Sequence, residues 1–277
     1  RSRGLGDVYK RQAVQFTAIF IGSVYILFYT SIEKTLTCLT KRGIKNERIL
    51  RQGERHKMGK YNFDEVIDRH GTDCLKYDFG MKRKGRDDLL PLWVADMDFR
   101  LPDEILDEFH KRIDHGIFGY TDPLDEYFAA MNHWFSTRYG YTIEPDWVTL
   151  GAGIVYALGT SVRAFTEEGD AMMVMQPVYY PFSEVIKNDG RRLVNCQLRY
   201  ENNHYSIDFE KMERMILEEG VKALIFCNPH NPVGRVWTRE ELERVAEICL
   251  KYNVTWMVDE MHCDFIFPGH TFTSCMN

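Results

Sequence analysis

Apolar residues in the second half of the chain occur either in short continuous runs or at helical spacing. The segments 171–176, 222–227 and 254–259 are almost continuously apolar, which is typical of strands buried on both faces of a sheet. Further strands are predicted at 147–150 and 192–198. Helical spacing of apolar residues predicts helices at about 153–165, 179–188, 208–219 and 238–252. This alternation indicates an α/β fold with a mostly parallel sheet and helices on both faces.

Local signals at helix ends support this interpretation. Pro102 precedes an acidic first turn and apolar residues at helical spacing, and Pro123 opens a second helical pattern that closes near Gly140. Thr238 and Glu241 form the T-x-x-E pattern of a capping box. The sequence therefore predicts two helices before the alternating region and a well-defined start for its last helix.

The first 57 residues differ in character from the rest of the chain. Residues 1–12 resemble a peptide that recurs at the ends of translated sequencing reads, and residues 13–30 form an uncharged run that, taken literally, is a short candidate for a membrane span. Polar residues dilute this run, and residues 53–57 could be encoded by a purine-rich ribosome-binding site. We expect Met58 to be the natural start, residues 1–57 to be a non-native leader, and no membrane partner.

Composition narrows the class of protein. The chain has 277 residues, 27% of them charged, and a net charge of −6. No basic run stands out after the leader, and the short run 81–86 is predicted to be a solvated loop, so we expect no nucleic-acid partner. The seven cysteines form no C-x-x-C pair. Free thiols in apolar segments favour a reducing compartment, so the expected location is cytoplasmic.

Polar residues follow four of the predicted strands. A glycine turn occupies Gly151–Tyr156, an aromatic pair lies in Gln176–Pro181, an amide-rich turn spans Asn228–Gly234, and carboxylates begin Asp259–His262. Ligands of open α/β sheets bind beyond the carboxyl ends of the strands. A phosphate-type turn, an aromatic ring, an amide and a carboxylate at one edge could together hold a flat, anionic, nitrogen-containing ring.

Each of these features also has a structural interpretation. Tyr156 stands where a dinucleotide-binding turn needs a third glycine, which argues against NAD. Tyr179 could be a core or surface aromatic, Asn231 could serve turn chemistry, and Asp259 could cap the segment that follows it. The acidic, histidine and cysteine residues of 259–264 match no metal-binding spacing, so no metal site is predicted.

The order of these motifs resembles that of a known enzyme superfamily. Asn228-Pro-His-Asn-Pro-Val-Gly234 is similar to the N-P-x-N-P-T-G motif of class I/II aminotransferases, which are fold-type I enzymes dependent on pyridoxal 5'-phosphate (PLP). The resemblance covers about residues 58–277. Finer features resemble the MalY/PatB-type carbon–sulfur lyases, the cystathionine β-lyase and cysteine-S-conjugate β-lyase group, at Pro91–Phe99, Gly116–Tyr120, Gln176–Tyr179 and Asp259–His262.

The resemblance implies a role for each candidate residue. Asp259 would pair with the pyridinium nitrogen of PLP, Asn231 would donate to its phenolic oxygen, and Tyr179 would stack on its ring. His262 would lie near the ring. The phosphate would be held by helix N-terminal amides of Gly153, Ile154 and Val155.

The resemblance also implies partners and domains. Tyr120 resembles a tyrosine that reaches the cofactor phosphate and leaving group of a neighbouring subunit, which implies a homodimer, and the loop 93–99 would line the substrate end. Residues 58–101 would be an N-terminal arm with part of a small domain. Residues 102–277 would be a PLP-binding large domain of the PLP-transferase type, incomplete at its C-terminus.

The implied reaction is β-elimination from cystathionine or a related small sulfur-containing amino acid, which yields pyruvate, ammonia and a thiol. The lysine that would hold PLP covalently is expected about thirty residues after Asp259, whereas the chain continues for only 18 residues to Asn277 and its last lysine is Lys251. We therefore expect this chain to end before that lysine and to be inert by itself. A class I/II aminotransferase is the alternative, and a regulatory or binding protein without catalysis is a third hypothesis.

Overall fold

The structure is a computed structural model that describes residues 61–86 and 88–277. Within this described part the chain forms two compact units, residues 61–119 and residues 120–277. The predicted leader at 1–57 and start at Met58, with the candidate span at 13–30, lie outside the described residues. No helix within the described part is both long and apolar enough to cross a membrane. The predicted domain boundary between residues 101 and 102 stays a prediction.

The smaller unit contains helices α1 (Gly80–Lys84) and α2 (Asp103–His115). The prediction of a loop at 81–86 was wrong in part, because one helical turn forms up to Lys84 before the left-handed Gly85 ends it. Its side chains are exposed, as expected of a solvated basic run. Helix α2 begins directly after Pro102, as predicted, with acidic residues in its first turn.

A charged cluster organises the loop at 93–99 in the smaller unit. The buried Nζ of Lys76 donates to the backbone carbonyl of Asp96 at 2.7 Å and lies 3.3 Å from the carboxylate of Asp98. Arg69 pairs with both carboxylates. Two bases thus neutralise two acids, and the loop backbone is tied to the body of this unit.

The larger unit begins with helix α3 (Asp125–Tyr139), a short 3-10 helix (Pro145–Trp147) and helix α4 (Ile154–Phe165). The strand predicted at 147–150 is wrong. Pro145 starts a helical turn through Trp147, since its fixed φ suits that position. The apolar residues of this segment pack against Tyr127 and Met131 of α3 instead of joining the sheet.

Most of the remaining elements alternate as predicted. In chain order they are β1 (Ala171–Val174), α5 (Pro181–Asn188), β2 (Arg192–Asn195), β3 (Arg199–Glu201), β4 (His204–Ser206), α6 (Phe209–Glu219), β5 (Val221–Cys227), α7 (Arg239–Lys251) and β6 (Thr255–Asp259). Four strands form a wholly parallel sheet in the order β2-β1-β5-β6. The mostly parallel sheet is therefore confirmed, and so is the capping box of Thr238 and Glu241 at the start of α7.

Helices cover both faces of this sheet. On one face Met173 and Phe226 pack with α6 and α7, and on the other Met172 and Ile225 pack with α4 and α5. Neighbouring residues of one strand serve opposite faces because side chains alternate along a strand. Burial of each such side chain contributes about 1.5–3 kcal/mol, so this double core fixes the carboxyl ends of the strands, where the polar loops lie.

A two-stranded hairpin, β3 with β4, lies outside the main sheet and was not predicted. Its turn residues Asn202 and Asn203 both have positive φ, at 51° and 59°. Asparagine tolerates this conformation, which matches the right-handed twist of a tight hairpin. The cross-strand pair Tyr200 and Tyr205, with ring centroids 4.5 Å apart, adds to the pairing.

Candidate functional site

Three polar loops of the larger unit leave the same edge of the sheet. Loop 176–181 follows β1, loop 228–234 follows β5, and loop 259–262 begins at the last residue of β6. The strands are parallel neighbours, so their carboxyl ends bring these loops together. Sequence-predicted residues Tyr179 and Asn231 are carried by the first two loops, and Asp259 and His262 by the third.

Asp259 is a buried carboxylic acid at the end of β6, with 5% of its surface exposed. Its Oδ1 accepts a hydrogen bond from the backbone N–H of Met261 at 2.9 Å. Within the described part of the chain, no lysine or arginine forms an ion pair with it. Burial raises the pKa of Asp259, while the Met261 N–H and nearby His262 act in the opposite direction. A cation placed at this carboxyl would relieve the cost of its ionisation.

Tyr179 is partly buried in the loop that follows β1. Its ring meets Phe182 edge-on at 5.9 Å, which anchors it to α5. Burial raises the pKa of its hydroxyl, and the charges of Tyr180 and Asp259 add to this effect. The aromatic loop after β1 and the carboxylate loop after β6 leave the same edge of the sheet, so both can contribute to one site.

Asn231 and His262 are in direct contact. The side-chain Nδ2 of Asn231 lies 3.3 Å from Nε2 of His262. An amide nitrogen can only donate, so Nε2 accepts and the imidazole proton is on Nδ1. The backbone N–H of Asn231 lies 3.4 Å from Sγ of Cys227, the last residue of β5. Asn231 is thus held by its backbone to the end of β5 and by its side chain to the loop after β6, and the side-chain amide keeps one N–H for a ligand.

The N-terminus of helix α4 presents backbone amides without a side-chain cap. Gly153 precedes it with φ 143°, a conformation that residues with a side chain rarely adopt. Ile154 is partly buried, and Val155 is exposed. The first N–H groups of a helix have no partner within it, so this end suits an anion.

Tyr120 is fully exposed on the larger unit. The structure thus brings four predicted residues, Asp259, Tyr179, Asn231 and His262, to one edge of the sheet, whereas Tyr120 is at the surface. The role of Tyr120 towards a second subunit stays a prediction.

Sequence reasoning missed a buried polar network next to Asp259. Nδ2 of Asn228 donates to Oε1 of Glu260 at 3.2 Å and to the carbonyl of Thr273 at 2.9 Å. The Oε2 of Glu260 accepts from the Ser274 hydroxyl at 2.7 Å, and its Oε1 also accepts from the Cys275 backbone N–H at 2.7 Å. Burial raises the pKa of Glu260. The network fastens residues 273–275 to the ends of β5 and β6. In the sequence, the only signal for Asn228 was its place in the motif 228–234.

His230 was also missed as a contributor to the site. It is 1% exposed, and its Nε2 lies 3.0 Å from the carbonyl oxygen of Pro177 in the aromatic loop. The sequence pattern showed a histidine between two prolines without indicating that its ring is buried.

The described geometry agrees with a family-level match. The model of the family "aminotransferase class I and II" matches residues 87–277. The chain belongs to this family. Among solved structures, the chain is similar to cystalysin from Treponema denticola, whose structure contains a pyridoxal 5'-phosphate cofactor. The chain matches it with a TM-score of 0.73 and 39% identity, over 78% of this chain and 55% of that one.

Other known proteins give consistent matches. Cystathionine beta-lyase PatB of Bacillus subtilis (strain 168) is 42% identical over 212 residues, 76% of this chain and 55% of that protein. Protein MalY of Escherichia coli (strain K12) is 34% identical over 208 residues, 75% of this chain and 53% of its own. The PLP-bound C-S lyase from Staphylococcus hominis matches with a TM-score of 0.73 and 32% identity, over 78% and 55% of the two chains. The chain spans about half the length of these relatives.

Proposed function

We propose that this chain supplies most of the PLP contacts of a carbon–sulfur β-lyase, an enzyme that converts cystathionine or another cysteine S-conjugate into pyruvate, ammonia and a thiol. The observation that carries the proposal is the 42% identity with cystathionine beta-lyase PatB across 212 residues. The PLP-bound C-S lyase from Staphylococcus hominis, with a TM-score of 0.73, supports the same reaction class.

The buried Asp259 is the feature of the chain that fits PLP best. Its carboxyl is buried with one backbone hydrogen bond and no basic partner in the described part of the chain. A protonated pyridine nitrogen is a cation with an N–H, so it would both neutralise and hydrogen-bond this group. When bound, PLP supplies an electron sink for the electrons left behind when the substrate loses its Cα proton. Asp259 would hold the proton on the ring nitrogen and so keep that sink effective.

The other candidate residues would orient the cofactor. The free N–H of Asn231 would donate to the phenolic oxygen, with His262 fixing the amide from its other side. Tyr179, braced by Phe182, would cover a ring face and exclude water from it. The amides that follow Gly153, at Ile154 and Val155, would bind the phosphate.

Assembly and location follow from the same proposal. The exposed Tyr120 would contact the cofactor phosphate of a second subunit, so we infer a homodimer. Residues 58–101 would belong to an arm and small domain and residues 102–277 to the PLP-binding domain. We infer a cytoplasmic location and a small sulfur-containing amino acid as the substrate.

The test uses a protein that carries this chain and extends to the length of PatB. Purified with PLP and given cystathionine, it is expected to release pyruvate and free thiol in equal amounts. The matched control is the same protein with Asp259→Ala, which should lose the activity. Absence of thiol release from cystathionine and from other cysteine S-conjugates would rule out the lyase.

An aminotransferase is the second candidate function. Its support is the 29% identity over 184 residues with aspartate aminotransferase of Geobacillus stearothermophilus. The same preparation, given an amino acid and a keto acid, would then exchange the amino group without releasing thiol. Pyruvate and thiol from cystathionine distinguish the lyase from this alternative.

A further inference from the structure

We propose that His230 is a positioning residue that holds the aromatic loop over the site, so that Tyr179 can stack on the cofactor. The proposal deepens the proposed function and rests on it. It is carried by one long-range contact: Nε2 of His230 lies 3.0 Å from the carbonyl oxygen of Pro177, which is 53 residues away in sequence. Pro177 precedes Tyr179 by two residues.

The chemistry of the contact assigns the proton. A carbonyl oxygen can only accept, so the Nε2 of His230 must donate and carry the hydrogen. Nδ1 is buried and has no hydrogen-bond partner within the described residues. Burial, with a smaller effect of the nearby Arg235 charge, lowers the pKa of His230 to about 4, against the opposing effect of carbonyls including that of Pro177. The ring is therefore neutral at physiological pH.

The ring is held in one orientation. Trp237 meets it edge-on at 5.4 Å and 89° and is itself fixed by a hydrogen bond of 2.9 Å to the carbonyl of Cys227. The backbone of His230 is pinned by two bonds, its N–H to the Arg235 carbonyl at 2.7 Å and its carbonyl from the Gly234 N–H at 2.9 Å. A rigid donor aimed at one carbonyl fixes the position of whatever carries that carbonyl.

The aromatic loop has separate anchors on its other side. The Gln176 N–H bonds to the side chain of Asn195 at 3.1 Å, and the Gln176 side chain bonds to Ser183 at 3.2 Å. These contacts lead towards β2 and α5, whereas His230 ties the loop to the exit of β5, next to Asn231. Loss of the His230 bond should therefore free the loop on the side of the cofactor while the outer anchors keep it folded.

The test compares two substitutions of His230 by residues with amide side chains, made in the 277-residue chain. In His230→Gln the side-chain nitrogen can occupy the place of Nε2, whereas in His230→Asn it reaches only the place of Nδ1. The probe is pyridoxamine 5'-phosphate, whose binding needs no lysine. His230→Gln is expected to keep the wild-type Kd within about threefold, and His230→Asn to raise it about tenfold, the equivalent of one hydrogen bond.

A second background tests whether the effect passes through Tyr179. In Tyr179→Leu the difference between the Gln and Asn variants should disappear, because the ring that His230 positions is gone. A merely structural role would lower the unfolding midpoint of both variants and leave their Kd difference unchanged by Tyr179→Leu. Equal weakening by both amides, or a difference that survives in Tyr179→Leu, would overturn the proposal.

A measurement on the wild-type chain covers the case in which a variant does not fold. Nitrogen-15 spectra of histidine-labelled chain should show His230 with Nε2 protonated and Nδ1 unprotonated at neutral pH. A proton on Nδ1 would refute the assignment. If wild-type chain fails to bind pyridoxamine 5'-phosphate at all while His230 has the expected tautomer, the proposed cofactor site fails and the His230–Pro177 contact does not.

Discussion

The side-chain amide of Asn231 donates to Nε2 of His262 across 3.3 Å. This contact joins the loop after β5 to the loop after β6, and it orients the amide that we assign to the phenolic oxygen of PLP. His262→Phe keeps a flat ring but removes the acceptor. We expect the Kd for pyridoxamine 5'-phosphate to rise about fivefold to tenfold, near 1 kcal/mol.

The matched control for this change is His270→Phe, at an exposed histidine of the same C-terminal segment. It should leave the Kd at the wild-type value. The two variants can be compared by titrating the fluorescence of the probe. Equal Kd values for wild type and His262→Phe would show that His262 does not orient Asn231.

The buried carboxyl of Asp259 predicts opposite effects on stability and on binding. The raised pKa of Asp259 means that this carboxyl binds a proton more readily in the folded chain than in the unfolded chain. Ionisation of Asp259 therefore lowers the unfolding free energy as the pH rises above the ordinary pKa of an aspartate. Asp259→Asn removes that cost, and the cofactor-free chain should unfold at higher denaturant concentration at pH 7. Affinity for pyridoxamine 5'-phosphate should fall by about tenfold to a hundredfold, because a charge-assisted hydrogen bond is lost.

Asp146→Asn is the control for Asp259→Asn, since Asp146 is exposed in the short 3-10 helix. Asp146→Asn should change neither the unfolding free energy nor the affinity for pyridoxamine 5'-phosphate. Urea unfolding and probe titration on the same preparations check both effects. A fall in stability for Asp259→Asn would contradict the assignment of an unpaired buried charge.

The conformation of Gly153 predicts a local strain in any substituted chain. At φ 143°, Gly153→Ala should cost about 1–3 kcal/mol and displace the first amides of α4, which weakens phosphate binding. Gly159 lies inside α4, where an added methyl would meet its nearest neighbour at an ordinary 3.6 Å. Gly159→Ala should therefore retain the Kd and raise the unfolding free energy by up to about 1 kcal/mol. Similar Kd values for the two variants would remove α4 from the phosphate site.

The low pKa of His230 predicts a dependence of stability on pH. The unfolded chain takes up a proton near pH 6.5 and the folded chain only near pH 4. Between these values the unfolded state binds more protons, so the unfolding free energy should fall as pH falls, by about 3 kcal/mol in total. His230→Gln cannot titrate and should lack this part of the slope, as measured by urea unfolding from pH 4 to pH 7. An unchanged slope would mean that other groups cause it.

Several features followed from the sequence because their causes are local. Continuous apolar runs and helical spacing predicted β1, β5, β6 and the helices between them, since burial on both faces leaves no polar positions in a central strand. The capping box at Thr238 could also be predicted, because its hydrogen bonds join residues only three apart in the sequence. The error at 147–150 shows the limit of such patterns: apolar residues that pack on α3 resemble those of a strand.

The order of motifs predicted that the candidate residues share one edge of the sheet, because parallel strands bring their carboxyl ends together. The resemblance to class I/II aminotransferases then implied PLP and a role for each residue. Only the tertiary structure decided which side chains meet. It paired Asn231 with His262, left Asp259 buried with a single backbone partner, and aimed His230 at the carbonyl of Pro177. These contacts join loops that are distant in sequence, and their distances and burial depend on the packing of the whole sheet, which no local pattern records.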